Sequence, residues 1–332
     1  MPKKSTSQGV TVFDVAEHAG VSIATVSRAL SGSRPMSDEL REKVKQSAAA
    51  LGYQVNLVGR ALRQKKTSTI GLVIPDFENP FFSSLAQGIS RRFARSEADV
   101  LVASADNDAE AEVRAVQSFL GRQVDALVMI PNDESTSAKA MKIASDSVPT
   151  VQFDRFVPGL DIPFIGCDNK AGMDLISDYI TRSIDIDSQP VILIGGGKSS
   201  SSGHERSSRF LSRTNVTRHL EGSFSFEWGQ QAAKSLLDDG VKRATLVCGA
   251  DVIAIGAISW LLSQGHSIPS DFRVIGFDGV GVSQLAHPTL TTVLQPVEEM
   301  TEAIEKLLSS DGGHSAQATQ RFRPELVERE SG

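Results

Sequence analysis

Five places in the chain set chemically capable side chains just beyond runs rich in β-formers. They are Pro75-Asp76-Phe77-Glu78-Asn79-Pro80-Phe81-Phe82, Asp154-Arg155, the 195–206 loop ending in Arg206, Asp251 and Asp278. Ligands of parallel α/β sheets bind beyond the carboxyl ends of the strands. Carboxylates there accept from hydroxyl groups and an arginine offers a planar fork of donors. With aromatic faces beside them, the set suits a polyhydroxylated or small polar ligand. A single Asp at a strand end reads equally well as a helix cap, so the expectation rests on the five converging across one cleft.

Other chemistry is poorly served. Gly195-Gly196-Gly197-Lys198-Ser199 follows a strand-like run, but a phosphate loop needs glycine where Ile192 stands. The run continues through Ser200, Ser201 and Ser202, which reads as a mobile loop. Histidines 18, 204, 219, 266, 287 and 314 show no metal spacing, and no Gly-x-Ser-x-Gly elbow occurs. Cys167 and Cys248 fit reduced thiols and no metal-ligand spacing. The expectation is a non-enzyme with no catalytic residues, metal or cofactor.

The elements that would position such residues fall into two textures. Residues 11–30 read as helix, turn, helix. Val12, Val15, Ala16 and Ala19 share one face, Gly20 can stop the first helix with φ > 0, and Ser22 can cap the second. Val26 and Leu30 would face the core, leaving Ile23, Ala24, Thr25, Ser27 and Arg28 on the outer, leading surface. That is the layout of a helix-turn-helix, whose second helix enters the major groove; an ordinary αα-hairpin is the plainer alternative. After a turn at Ser31–Pro35, a third helix is capped by Ser37, has Asp38 and Glu39 at its start, carries Leu40, Val44, Ala48 and Leu51, and ends at Gly52.

Residues 54–66 read as a linker with helical content. Asn56 can cap a helix bearing Leu57, Val58, Ala61 and Leu62, too short to hold alone in water. It is expected to fold only when two copies pair on DNA, with Leu62 wedged into the minor groove; a flexible tether is the plainer alternative. From residue 68 strands alternate with helices. The predicted strands are Ile70–Ile74, Val100–Ala103, Ala126–Ile130, Thr150–Phe153, Val191–Ile194, Ala244–Cys248 and Arg273–Phe277. The predicted helices cover Phe82–Ser96, Ala109–Gly121, Ala171–Arg182, Gly229–Asp238, Val252–Gln264 and Val297–Ser309. This alternation predicts an α/β fold of two doubly wound lobes.

The 332 residues suffice for two or three domains. The net charge of −6 hides an asymmetry. Residues 1–66 hold 11 Lys and Arg against 5 Asp and Glu, and the remainder holds 23 against 35. A basic head on an acidic body points to nucleic-acid binding confined to the head. No run approaches the ~18 apolar residues of a membrane span, and the first residues lack a secretory apolar segment; the expected location is the cytoplasm.

The headpiece Thr11-Val12-Phe13-Asp14-Val15-Ala16, with Gly20-Val21-Ser22 and Thr25-Val26-Ser27-Arg28, resembles that of the lactose/galactose repressor (LacI/GalR) family. Gly52-Tyr53 with Asn56 and Leu62, Ile70-Gly71-Leu72-Val73, Asn79-Pro80-Phe81-Phe82, Phe277-Asp278, and Leu290-Thr291-Thr292-Val293 with Gln295-Pro296 are similar to the family in colinear order over residues 10 to 330. The resemblance implies a helix-turn-helix headpiece (1–53), a hinge helix (54–66) and a two-lobed periplasmic-binding-protein-like domain for effector binding and dimerisation (67–332). The lobe near DNA would hold 67–165 and 295–322, and the far lobe 166–294 and 323–332. It implies a transcriptional regulator, a repressor, that binds a pseudo-palindromic double-stranded operator as a homodimer, modulated by a small carbohydrate-like effector. By position, Ile23, Ala24 and Arg28 would read bases. Thr11, Ser22, Thr25, Ser27 and Asn56 would contact the DNA backbone, and Leu62 would act as the lever. Phe81, Phe82, Asp154, Arg206, Phe224, Asp278 and Gln295 would line the effector pocket.

The chain departs from the family pattern in places. Val55 stands where proline is usual and Gly59 where alanine is frequent. Ala250 replaces the asparagine of Ala-Asn-Asp, and Arg209 replaces a glycine. The stretch from Phe210 to Glu221 is shorter than usual, which puts a far-lobe helix in question. These changes are expected to cluster at the pocket. The alternatives are a cytoplasmic small-molecule-binding protein, or a DNA-binding protein whose effector response is lost.

Overall fold

A computed structural model describes residues 10–31, 36–53, 66–183, 189–197, 199–309 and 319–332. The expected hinge helix, with Asn56 and Leu62, lies outside the described residues. The chain divides into two compact units, residues 1–67 and 68–332.

The first unit has α1 (Val12–Ala19), α2 (Ile23–Ser31) and α3 (Asp38–Leu51). Val15, Ala16, Ala19, Val26, Ala29, Val44 and Ala48 form its small core, with Val12, Leu30 and Leu51 packed against it. The helix limits follow from local chemistry. Thr11 and Asp14 form a reciprocal capping box at the start of α1. Gly20 and Gly52 end α1 and α3 at φ of 65° and 66°, a left-handed conformation that an L side chain rarely adopts. Ser22 Oγ accepts from Thr25 N at 3.1 Å and Ser37 Oγ from Leu40 N at 3.4 Å.

In the second unit, β1 (Thr69–Ile74), β2 (Asp99–Ser104), β3 (Ala126–Met129), β4 (Thr150–Phe153), β5 (Phe164–Cys167) and β11 (Thr319–Phe322) form one sheet, ordered β11-β5-β4-β3-β1-β2. All of its pairings are parallel, with Leu72 opposite both Val102 and Val128. Helices α4 (Pro80–Ala94) and α11 (Val297–Ser309) cover one face through Phe82, Leu85, Ile89, Met300 and Ile304. Helices α5 (Ala109–Gly121) and α6 (Ala138–Ser145) cover the other through Val113, Val116, Phe119 and Met141.

The second sheet is ordered β12-β10-β9-β8-β6-β7. It is built from β6 (Val191–Gly196), β7 (Arg218–Gly222), β8 (Ala244–Cys248), β9 (Phe272–Asp278), β10 (Thr291–Leu294) and an antiparallel β12 (Glu325–Val327). Helices α7 (Asn169–Ser183) and α8 (Ser201–Arg213) lie toward one face, and α9 (Phe226–Asp238) and α10 (Asp251–Ser263) pack on the other. Burial on both faces explains why the predicted strands read as continuous apolar runs. Among the described residues the chain passes between the sheets at Asp168, at Gln295-Pro296 and at Arg323-Pro324.

Two expectations are corrected. The serine run is not a mobile loop. Ser200 Oγ caps α8 by accepting from Gly203 N at 3.1 Å, and Ser200, Ser201 and Ser202 are buried. The questioned helix is also present. α8 runs to Arg213, and a four-residue connection, 214–217, leads into β7. Gly203 makes its close packing possible, because a Cβ there would stand 2.2 Å from Gly196 O.

Candidate nucleic-acid interface and ligand cleft

On the first unit, Thr11, Ser22, Ile23, Ala24 and Arg28 are exposed, and Thr25 and Ser27 are half-buried. Val26 and Ala29 point into the core between them, which holds the outer face of α2 at the start of the helix. Ile23 is 40% exposed although apolar. Arg28 Nε donates to Ala24 O at 3.2 Å, one turn back. Thr11 and Ser22 double as helix caps, so their hydroxyls sit beside backbone N–H groups at helix N-termini, where anions are favoured. Phe13 is 64% exposed on α1 and was not singled out by the sequence pattern.

In the second unit, strand ends of the two sheets converge on a cleft. Asp154 and Arg155 follow β4, Asp278 closes β9, Gln295 follows β10, and Arg206 projects from α8. Arg206 Nη1 donates to Asp278 Oδ1 at 3.0 Å and to Gly249 O at 2.8 Å, while Nε donates to Asn169 Oδ1 at 2.9 Å. Its guanidinium lies 3.8 Å from the centroid of the Phe277 ring. Gln295 Nε2 donates to Asp278 Oδ1 at 2.8 Å. Arg155 lies between two rings, 4.9 Å from Phe82 and 5.1 Å from Phe224. Phe81 is buried beside Phe82, ring centroids 6.0 Å apart.

The cleft is electrostatically costly. Asp154, Arg155, Arg206, Asp278 and Gln295 are all at least 95% buried. Burial pushes the Asp278 carboxyl up to about 6, with Arg206 beside it pulling the other way. Burial also raises Asp154, against the charges of Arg206 and Arg155, and lowers Arg155. Among the described residues Asp154 Oδ1, Arg155 Nε and Gln295 Oε1 have no hydrogen-bond partner. Asp154 and Asp278 also hold φ of 61° and 121°. Such backbone costs about 1–3 kcal/mol per residue and is typical of ligand clamps. Two strained carboxylates and three unpartnered polar atoms at one place favour binding over packing.

Residues 11–56 match the model of bacterial regulatory proteins of the lacI family, and residues 70–308 match a periplasmic binding protein domain. The ribose operon repressor of Halalkalibacterium halodurans is 31% identical over 303 residues, covering 90% of this chain and 89% of that protein. The chain belongs to the lacI family. Catabolite control protein A of Priestia megaterium is 28% identical over 309 residues, covering 90% of this chain and 92% of its own length. The crystal structure of a lac repressor dimer bound to operator and an anti-inducer aligns with a TM-score of 0.84 and 26% identity, covering 98% of this chain and 99% of that one. This lacI-family chain is a DNA-binding transcriptional regulator and not an enzyme. Among the described residues no helix is long and apolar enough to cross a membrane.

The departures from the lacI-family pattern do not all cluster at the pocket. Arg209 turns to α7, where Nε and Nη2 donate to the two carboxylate oxygens of Asp174 at 2.7 and 2.8 Å. Asp251 is a structural residue. Its Oδ2 accepts from Val280 N at 2.9 Å and its Oδ1 from Thr292 Oγ1 at 2.5 Å. Ala250 is buried at the start of α10 and offers no side-chain cap. The strand-end reading placed Asp154-Arg155 at the cleft, but the pocket set implied by the family resemblance left Arg155 out. Sequence reasoning passed over Glu112 and Asn169. Glu112 sits on the buried stripe of α5 with Val116 and Phe119, and a carboxylate on an apolar stripe was the available signal.

Proposed function

We propose that this regulator is a repressor that acts in the cytoplasm and binds a pseudo-palindromic operator as a homodimer, under the control of a small polyhydroxylated effector, a carbohydrate or its derivative. Residues 1–53 serve as headpiece, 54–66 as hinge, and 67–332 as effector and dimerisation domain. Ile23, Ala24 and Arg28 read bases. Thr11, Ser22, Thr25, Ser27 and Asn56 hold the DNA backbone, and Leu62 wedges the minor groove. Phe81, Phe82, Asp154, Arg206, Phe224, Asp278 and Gln295, joined by Arg155, take the effector. A relative named for the ribose operon and the lac repressor dimer bound to operator and anti-inducer support this reading.

One observation carries the ligand class. The atoms without partners are an acceptor on Asp154, a donor on Arg155 and an acceptor on Gln295, side by side in a buried cleft. A hydroxyl group is donor and acceptor at once, so vicinal hydroxyls satisfy all three. The test titrates the full-length protein with pentoses, hexoses, sugar phosphates and nucleobases. Tryptophan fluorescence is the readout, since the indole N–H of Trp228 donates to Gly195 O at 2.8 Å beside the cleft. One sugar class is expected to bind, and Asp154→Ala to weaken it at least about tenfold. A panel without binding, or binding indifferent to Asp154→Ala, overturns the reading.

A further inference from the structure

We propose that Arg321 and Glu205 form a positioning pair that holds the two lobes of the second unit closed and fixes Arg206 for its ligand. Arg321 lies on β11, the edge strand of the first sheet, and Glu205 on α8 of the second lobe. Their ion pair is bidentate, Nη1 to Oε2 at 2.9 Å and Nη2 to Oε1 at 2.7 Å. Arg321 is braced by the first-lobe rings of Phe156 and Phe164, at 5.6 and 5.1 Å. Glu205 is only 12% exposed and Arg321 31%, so solvent screens the pair incompletely.

The pair is wired to the cleft. Glu205 Oε2 also accepts from Asn169 Nδ2 at 3.0 Å, and Asn169 Oδ1 accepts from Arg206 Nε at 2.9 Å. Arg206 in turn reaches Asp278, and Gln295 shares that same carboxylate oxygen. The relay therefore runs from Arg321 through Glu205, Asn169 and Arg206 to Asp278 and Gln295. It also skirts two inter-sheet crossings. Asp168 N donates to Phe322 O at 2.8 Å, and Asn169 is the next residue. Among the described residues, other cross-lobe hydrogen bonds run from Glu134 N to Ser199 O and from Phe156 N to Ser201 Oγ, each 2.8 Å with a backbone donor, and the side chains of Asp133 and Ser199 also meet. Arg321–Glu205 joins side chain to side chain, so a ligand that shifts Arg206 meets it directly. The role given to Arg206 rests on the effector reading above; the closure itself does not.

Cysteines introduced as Gln117→Cys on α5 and Lys234→Cys on α9, both exposed, carry spin labels, while Cys167 and Cys248 are buried. Full-length protein, diluted with unlabelled protein, gives the interlobe distance distribution with no ligand added. Arg321→Gln is expected to lower the closed-to-open ratio about fivefold, in keeping with a partly exposed bidentate pair. Arg321→Lys, which keeps the charge and loses the fork, should fall between. The charge-exchanged protein, Arg321→Glu with Glu205→Arg, should recover most of the closed population. An unchanged distribution in Arg321→Gln, or a charge exchange no better closed than Arg321→Gln, overturns the proposal. If Arg321→Gln folds poorly, the comparison of Arg321→Lys with the exchanged protein decides it. The sugar titration on the same proteins reports separately on the effector reading.

Discussion

Replacing Arg206 by methionine separates the electrostatics of the cleft from its packing. Methionine fills much of the buried volume and keeps an apolar contact with the Phe277 ring, but removes three hydrogen bonds. Asn169 Oδ1 and Gly249 O lose a buried donor, each costing about 1–3 kcal/mol. Asp278 loses its counter-charge, yet that part of the cost is capped. Its carboxyl already titrates at about 6 in the fold against an ordinary 3.8. At pH 7 it can escape by taking up a proton, which limits the extra electrostatic cost to about 1.5 kcal/mol. The total expected at pH 7 is about 3.5–7.5 kcal/mol. Between the ordinary 3.8 and the folded value of about 6 the folded state holds a proton that the unfolded state has lost, so this group's contribution to stability falls as pH rises through that window. In the native protein the fall ends near pH 6, whereas in Arg206→Met it continues to pH 7. The deficit should therefore be about 1–1.5 kcal/mol smaller at pH 5 than at pH 7. Urea unfolding followed by Trp228 and Trp260 fluorescence, both packed against the second sheet's core, measures it. A deficit below about 1 kcal/mol, or one equal at the two pH values, would refute the reasoning.

Three further outcomes follow from single sites. Arg28→Ala should cost about 1–3 kcal/mol at one base pair per half-site and relax preference there; base-substituted operator duplexes measure it, and an unchanged profile rejects the base-reading role. Gly203→Ala sets a Cβ 2.2 Å from Gly196 O, so α8 must shift; a loss of about 2 kcal/mol or more in urea is expected, and a neutral effect is not. Effector binding should weaken about tenfold from pH 7.5 to pH 5, since a carboxyl titrating near 6 is about one-tenth ionised at pH 5. Asp278→Asn should flatten that profile when the ligand is titrated at both pH values.

The helix-turn-helix was legible because its signals are local. The Thr11 cap, the stop at Gly20 and the Ser22 cap are each decided within a few residues. Most of the buried parallel strands were legible for a similar reason, since both faces are covered and the runs are apolar. Strands β5 (Phe164–Cys167), β7 (Arg218–Gly222), β10 (Thr291–Leu294), β11 (Thr319–Phe322) and β12 (Glu325–Val327) were missed. β7, β11 and β12 are sheet edges, half-exposed and polar, and only their neighbours make them strands; β5 and β10 are buried, but at four residues each, with Gly166 or a Thr291-Thr292 pair inside, they carry too short an apolar run to stand out. The serines at the start of α8 misled because composition alone favours a loop. Ser200 caps the helix through Gly203 N, and Gly203 leaves room for the helix to pack against Gly196. Asp154, Arg206 and Asp278 could be placed at a cleft from strand ends, whereas Arg321 and Glu205, 116 residues apart, carry no local signal of their pairing. Arg209 shows the converse, an unusual residue whose neighbour on α7, Asp174, gives it a structural task.

The central claim is that occupation of the cleft by a polyhydroxylated ligand changes the protein's grip on DNA. Fluorescence anisotropy of the full-length protein on DNA from upstream of its own gene, with excess competitor DNA, tests it directly. A ligand from the sugar panel is expected to change the affinity about 5- to 150-fold, the usual range of allosteric coupling, and Asp154→Ala is expected to abolish that change while leaving ligand-free binding intact. Specific binding that no ligand alters, or an equal response in Asp154→Ala, would contradict the account.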